Sequence, residues 1–135
     1  MRYLDGVLVE SSESTMDIDI NIYIDSVKSK VISEFLSDIQ ILNTMYPLEE
    51  RESWAIQLEE AKSYLLDNSS ETPLISNMSK ERNISVEEMS NKIISNSNNW
   101  KELYGKALGK KQSRMDKLEV LDLTDPDILN HIENI

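Results

Sequence analysis

Residues 17–28, DIDINIYIDSVK, open with the Asp17-x-Asp19-x-Asn21 spacing of a calcium loop, in which alternate oxygen ligands wrap a hard cation. The sixth position, where such a loop needs glycine for its sharp turn, is Ile22. The twelfth, where a bidentate Glu closes the site, is Lys28. No calcium site is expected. His131 is the single histidine and cysteine is absent, so neither a His/Cys metal cluster nor a thiol or imidazole catalytic pair can be assembled. Glu49, Glu50 and Glu52, and the pair Glu59–Glu60, have the look of paired acids. With no apolar pocket in view to raise a carboxyl pKa, they read as solvated helix faces. The three glycines are isolated, which excludes a phosphate-cradling loop. No catalytic, cofactor-binding or metal-binding residue is expected.

The composition points the same way. The 135 residues amount to one ordinary domain, and the formal charge of −11 disfavours both nucleic-acid phosphates and anionic membranes as partners. Disulfides are impossible without cysteine. The opening MRYLDGVLVESSES has one basic residue and no long apolar run, unlike a signal peptide. No stretch approaches the ~20 apolar residues of a membrane-spanning helix. The asparagine motifs NSS, NMS and NIS carry no weight without a secretory signal.

The elements that must position any working surface come in two styles. In MDIDINIYID, Ile18, Ile20, Ile22 and Ile24 alternate with polar residues, the period of a half-buried strand. YLDGVLVE is a weaker strand ahead of it, and ESSEST a turn between them. The expected hairpin either packs on its own helices or adds to the sheet edge of a partner. Beyond residue 25 the spacing is helical. Val27, Val31, Phe35, Ile39, Leu42 and Tyr46 form one stripe. Pro47 is the expected first residue of a second helix, with Trp54, Leu58, Ala61 and Leu65 on one face. Thr72 as N-cap and Pro73 at the first position open a third helix, to about Arg82. Ser85 and Glu88 form a capping box for a fourth. It carries Val86, Met89, Ile93, Trp100, Tyr104, Ala107, Met115 and Leu118, with a break expected near Asn98 because SNSNNW propagates a helix poorly. Asp125 and Pro126 begin a last one. The expected fold is mainly α, a small helical bundle (residues 26–135) with an N-terminal β-hairpin or strand appendage (residues 1–25).

Two features suggest contacts rather than chemistry. Gly105 and Gly109 lie four apart on one helix face and admit a close backbone, either within the molecule or from a partner. Lys101, Lys106, Lys110, Lys111, Arg114 and Lys117 make residues 101–117 basic in an otherwise acidic chain. This segment is either a charged docking face or a solvated helix side.

The order Glu52-x-Trp54-x-x-Gln57-x-x-Glu60-Ala61, Thr72-Pro73-Leu74-Ile75, Arg82-Asn83-Ile84 and Gly105-x-x-x-Gly109-x-x-Gln112 resembles a module of tailed-bacteriophage tail and tail-fibre assembly proteins. It covers residues 47 to about 118. Asn83 stands where the family tends to have Gly, and Asn tolerates the same left-handed backbone. The resemblance implies a non-enzymatic structural or adaptor component of the tail, baseplate or tail-fibre apparatus. Its partners are then other tail or fibre proteins, or further copies of the chain. Its location is the virion tail, or the host cytoplasm during assembly. The alternative is a chaperone that binds the fibre transiently and is absent from the virion. A small hydrolase is the competing enzyme reading. Ile18, Ile20, Ile22, Ile24, Gly105 and Gly109 are the expected partner-binding residues. Trp54, Gln57, Thr72, Pro73 and Trp100 are the expected structural anchors.

Overall fold

The computed structural model describes the backbone from residue 12 and the side chains from residue 19, to the C-terminus. It is mainly helical, with no strand among the described residues: α1 (Ser12–Met45), α2 (Leu48–Arg51), α3 (Trp54–Leu66), α4 (Pro73–Arg82), α5 (Val86–Glu119) and α6 (Ile128–Glu133). The chain divides into two compact units. One is Met1–Leu36 with Gly109–Ile135, the other Ser37–Leu108. The boundary expected at residue 25 therefore falls inside α1.

In the first unit, the isoleucines read as a strand belong to α1. On a helix turning 3.6 residues per turn, a period of two splits into opposite faces, Ile20 with Ile24 and Ile18 with Ile22. Ile24 is buried with Leu118, Ile128 and Ile132, and Ile20 packs against that cluster. Ile22 points outward, 61% exposed, and the side chain of Ile18 lies outside the described ones. Helical phase wins because Ile20 and Ile24 continue the stripe of Val27 and Val31: one conformation buries Ile24 and Val31 and packs Ile20 and Val27 against the cluster of Leu118, Ile128 and Ile132. The turn expected over residues 10–15 is corrected likewise, since residues 12–15 are helical. The weaker strand at residues 3–10 lies outside the described residues. Six residues of α6 are too few to form a helix alone. Burial of Ile128 and Ile132 holds it, each contributing about 1.5–3 kcal/mol. α6 starts later than expected. Asp127 is its N-cap, while Asp125 accepts the Asp127 N–H at 2.8 Å in a turn before it.

In the second unit, α3 and α4 pack together with the start of α5 around Ala61, Ile75, Met89 and Ile93. Pro47 stands just before α2, and a turn at residues 52–53 separates α2 from α3, so the expected single helix is two. α4 runs Pro73–Arg82 with Thr72 at its N-cap, as expected. It ends on Asn83 at φ 58, ψ 46, with the Ile84 N–H on Ser79 O at 3.0 Å. That is the left-handed helix end for which Asn substitutes for Gly. At the start of α5, the Glu88 N–H donates to Ser85 Oγ at 3.0 Å. α5 does not break near Asn98. Its inner face there carries Ser90, Ile93 and Ser97, all buried. One of the low-propensity residues, Ser97, thus sits where a small side chain packs, and tertiary burial overrides propensity.

Candidate interaction surface

Trp54 and Trp100 meet in one aromatic cluster of the second unit. Trp54 stands edge-on to Tyr46 (centroids 5.6 Å apart) and to Trp100 (6.0 Å), and Trp100 stacks on Tyr104 at 4.7 Å. The Arg51 guanidinium lies 5.2 Å from the Trp100 ring centroid, a cation–π contact. Arg51 is itself fixed by Tyr46 O at 3.0 Å and Asn43 Oδ1 at 2.6 Å. Asn99 donates to the Tyr46 hydroxyl at 2.6 Å. All four rings are only half-buried, so Trp54 is an anchor at the rim of the unit rather than in its centre. The Trp100 Nε1–H is buried without an acceptor. Sequence reasoning missed Tyr46, Arg51 and Tyr104 as members. The available signals were the four-residue step from Trp100 to Tyr104 and the tight Pro47 turn that returns Arg51 toward Tyr46.

The buried face of α3 is polar where apolar residues were expected. Gln57, Glu60 and Ala61 are buried, while Leu58 is half-buried and Leu65 exposed. Glu60, read as a solvated acid, is 8% exposed and accepts the Leu74 and Ile75 N–H groups at 3.2 and 2.9 Å. The second and third residues of α4 are thus capped by a side chain of another helix, and the carboxyl also meets the positive end of the helix dipole. Thr72 occupies the N-cap position without capping: its hydroxyl pairs with Ser76 Oγ at 3.0 Å. Gln57 donates to Ser53 Oγ at 2.8 Å, tying it to the start of its own helix.

The expected partner-binding residues do not form one face. Ile20 and Ile24 are spent on the first unit's core, and Ile22 alone among those described stands free. Gly105 and Gly109 are exposed, and a Cβ at either would meet nothing within 4 Å. Among the described residues no crossing helix uses them, so close packing within the molecule is not what they serve there. The basic segment is partly engaged inside the first unit. Arg114 pairs with Glu34 at 2.6 Å and donates to Ile135 O at 3.1 Å, and Lys111 lies 5.1 Å over the Phe35 ring. Lys106 makes an exposed pair with Glu102 at 3.6 Å.

Arg114 holds the Glu34 carboxyl below its usual range, chiefly through its hydrogen bond. Asp67 and Asp122 are lowered likewise by the hydroxyl, then the backbone N–H, of Ser69 and Thr124. His131 is exposed and lies 3.1 Å from Asp125 and 4.0 Å from Asp127. Among the described residues no group of three or more His, Cys, Asp or Glu is arranged to hold a metal ion, and no helix is long and apolar enough to cross a membrane. Two open surface depressions have polar walls. One runs along Ser85, Glu88, Asn91, Lys92 and Ser95, and the other lies at Tyr64–Asn68. What distinguishes the surface is apolar: among the described residues twelve large aliphatic side chains, from Ile22 to Leu129, are exposed. No family model, curated protein or solved structure matches this chain.

Proposed function

We propose that this chain is a non-enzymatic component of the tail, baseplate or tail-fibre apparatus of a tailed bacteriophage, working through protein–protein contacts. One observation carries this reading: of the residues behind the resemblance, those between Trp54 and Asn83 converge on packing and capping, while Gly105, Gly109 and Gln112 stand exposed. Trp54 joins the aromatic cluster, Glu60 caps α4, Ala61 and Ile75 are fully buried, and Asn83 ends α4. Residues scattered through the sequence thus build one helical module whose outward product is surface. Mass spectrometry of purified particles from infected cells tests it. Detection of this chain at a fixed ratio to a tail protein supports the structural role. Absence from particles, with recovery on a fibre protein by pull-down during infection, transfers the reading to an assembly chaperone. Absence from both overturns it.

A further inference from the structure

In the first unit, Ile128 and Ile132 stand one turn apart on α6 and are buried in a cluster with Ile24 of α1 and Leu118 of α5. Ile20, Tyr23, Val27 and Met115 pack against that cluster. The apolar side chains of α1 and α5 thus hold a short helix through two anchors four residues apart. Proteins bind amphipathic helices of other chains in the same way. Here the bound helix belongs to the chain itself. Little else secures it. Six residues are too few to persist as a helix undocked. Leu129, Asn130 and His131 face solvent, and Val120 and Leu123 in the segment leading to α6 are exposed. Asp122 bonds to Thr124, and Asp125 to the Asp127 N–H and to His131, contacts that stay within the segment. Arg114 reaches across to Ile135 O at 3.1 Å. An element with few buried apolar contacts and self-contained polar ones opens more readily than the long helices beneath it.

We infer that α6 is a displaceable latch: it fills, as an internal ligand, a helix-binding groove of α1 and α5 that takes an acidic amphipathic helix of a partner protein in its place. The occupant's chemistry is read from α6, the helix this groove already accepts. Its anchors are aliphatic side chains at i and i+4. Its flanks are acidic, since residues 119–133 carry Glu119, Asp122, Asp125, Asp127 and Glu133 and no Lys or Arg. The part of α5 in the same unit carries Lys110, Lys111, Arg114 and Lys117. A basic helix brought to that stretch meets like charge, whereas an acidic one is attracted. This inference is independent of the tail assignment.

A fluorescein-labelled peptide of residues 120–135 is the probe, and its anisotropy on the full-length chain is the reading. The parent should bind it weakly, because its own α6 competes at a high effective concentration. Ile132→Ser removes one anchor, and His131→Pro breaks α6 from an exposed position without touching a core side chain. Each variant should bind the peptide about tenfold more tightly than the parent does. The same peptide carrying Ile128→Asp and Ile132→Asp should not bind. Hydrogen exchange of the parent tests the latch with no substitution. The amides of residues 131–133 should exchange about 100-fold faster than those of residues 112–118. Equal peptide binding by parent and variants overturns the inference, as does binding by none of them. So do α6 amides that exchange only together with those of α5. A parent whose sedimentation mass rises with concentration as copies trade α6 overturns the partner helix in favour of a second copy.

Discussion

Glu60 shows how one side chain takes on a task its sequence context hides. Beside Glu59 in an acidic helix it resembles solvent-facing charge, yet it satisfies two N–H groups that α4 leaves without intrahelical partners. Pro73 supplies the fixed φ that starts α4 and has no N–H of its own, so the next two donors are the ones needing an acceptor. Glu60→Ala removes that acceptor from a buried position and should destabilise the chain by about 2–3 kcal/mol. Glu60→Gln keeps one carbonyl acceptor and should cost less. Urea denaturation followed by tryptophan emission measures both, since Trp54 and Trp100 report on the same unit. Equal stability of parent and Glu60→Ala would mean that water caps α4 instead.

At the scale of elements, the decisive case is α1. Its helical phase makes neighbouring isoleucines unequal in a way a strand reading does not. Ile24→Ala should cost about 2–4 kcal/mol because it opens a hole among Leu118, Ile128 and Ile132. Ile22→Ala, at an exposed position, should stay within about 0.5 kcal/mol. A strand with Ile22 and Ile24 on one buried face predicts similar losses for both, so comparing their urea midpoints separates the alternatives. The glycines of α5 give the opposite test. Gly105→Ala and Gly109→Ala should each stabilise the chain by about 0.5–1 kcal/mol, since a methyl group meets open space and the unfolded chain loses freedom. A fall in melting temperature would show that a neighbouring backbone does pack there.

For the whole molecule, acid is the informative variable. Glu34 is lowered from its ordinary 4.5, and Asp67 and Asp122 from 3.8. Carboxyls held low in the folded chain take up protons first in the unfolded one, so falling pH favours unfolding. Their stabilisation is complete above the ordinary values and is lost as pH falls through the lowered ones. Glu34 is 39% exposed, and solvent screening keeps its share small. The urea midpoint should be level from about pH 7 to 5 and then fall toward pH 3. Glu34→Gln should make that fall shallower. A parent whose midpoint does not move between pH 5 and 3, or a variant with the parent's full slope, would remove these turns and the Glu34–Arg114 pair from its acid response.

The sequence by itself determined what short-range chemistry decides. The Pro73 start, the Ser85 bond to the Glu88 N–H and the left-handed end at Asn83 appear where residue type places them, because a fixed φ and bonds between groups a few positions apart are local. The inner stripe of α5 was legible too, since Met89, Ile93, Ala107 and Leu118 keep a helical period. Tertiary structure alone decided the rest. Alternating isoleucines satisfy a strand locally, and only Leu118, Ile128 and Ile132, about a hundred residues away, make the helix the conformation that buries Ile24. Poor propensity at Asn98 argued for a break that burial of Ile93 and Ser97 on the inner face overrides. Small-residue spacing at Gly105 and Gly109 implied a neighbour that the fold does not supply. Glu60 and the Arg51–Trp100 contact pair residues whose meeting depends on how helices dock, which no local period encodes.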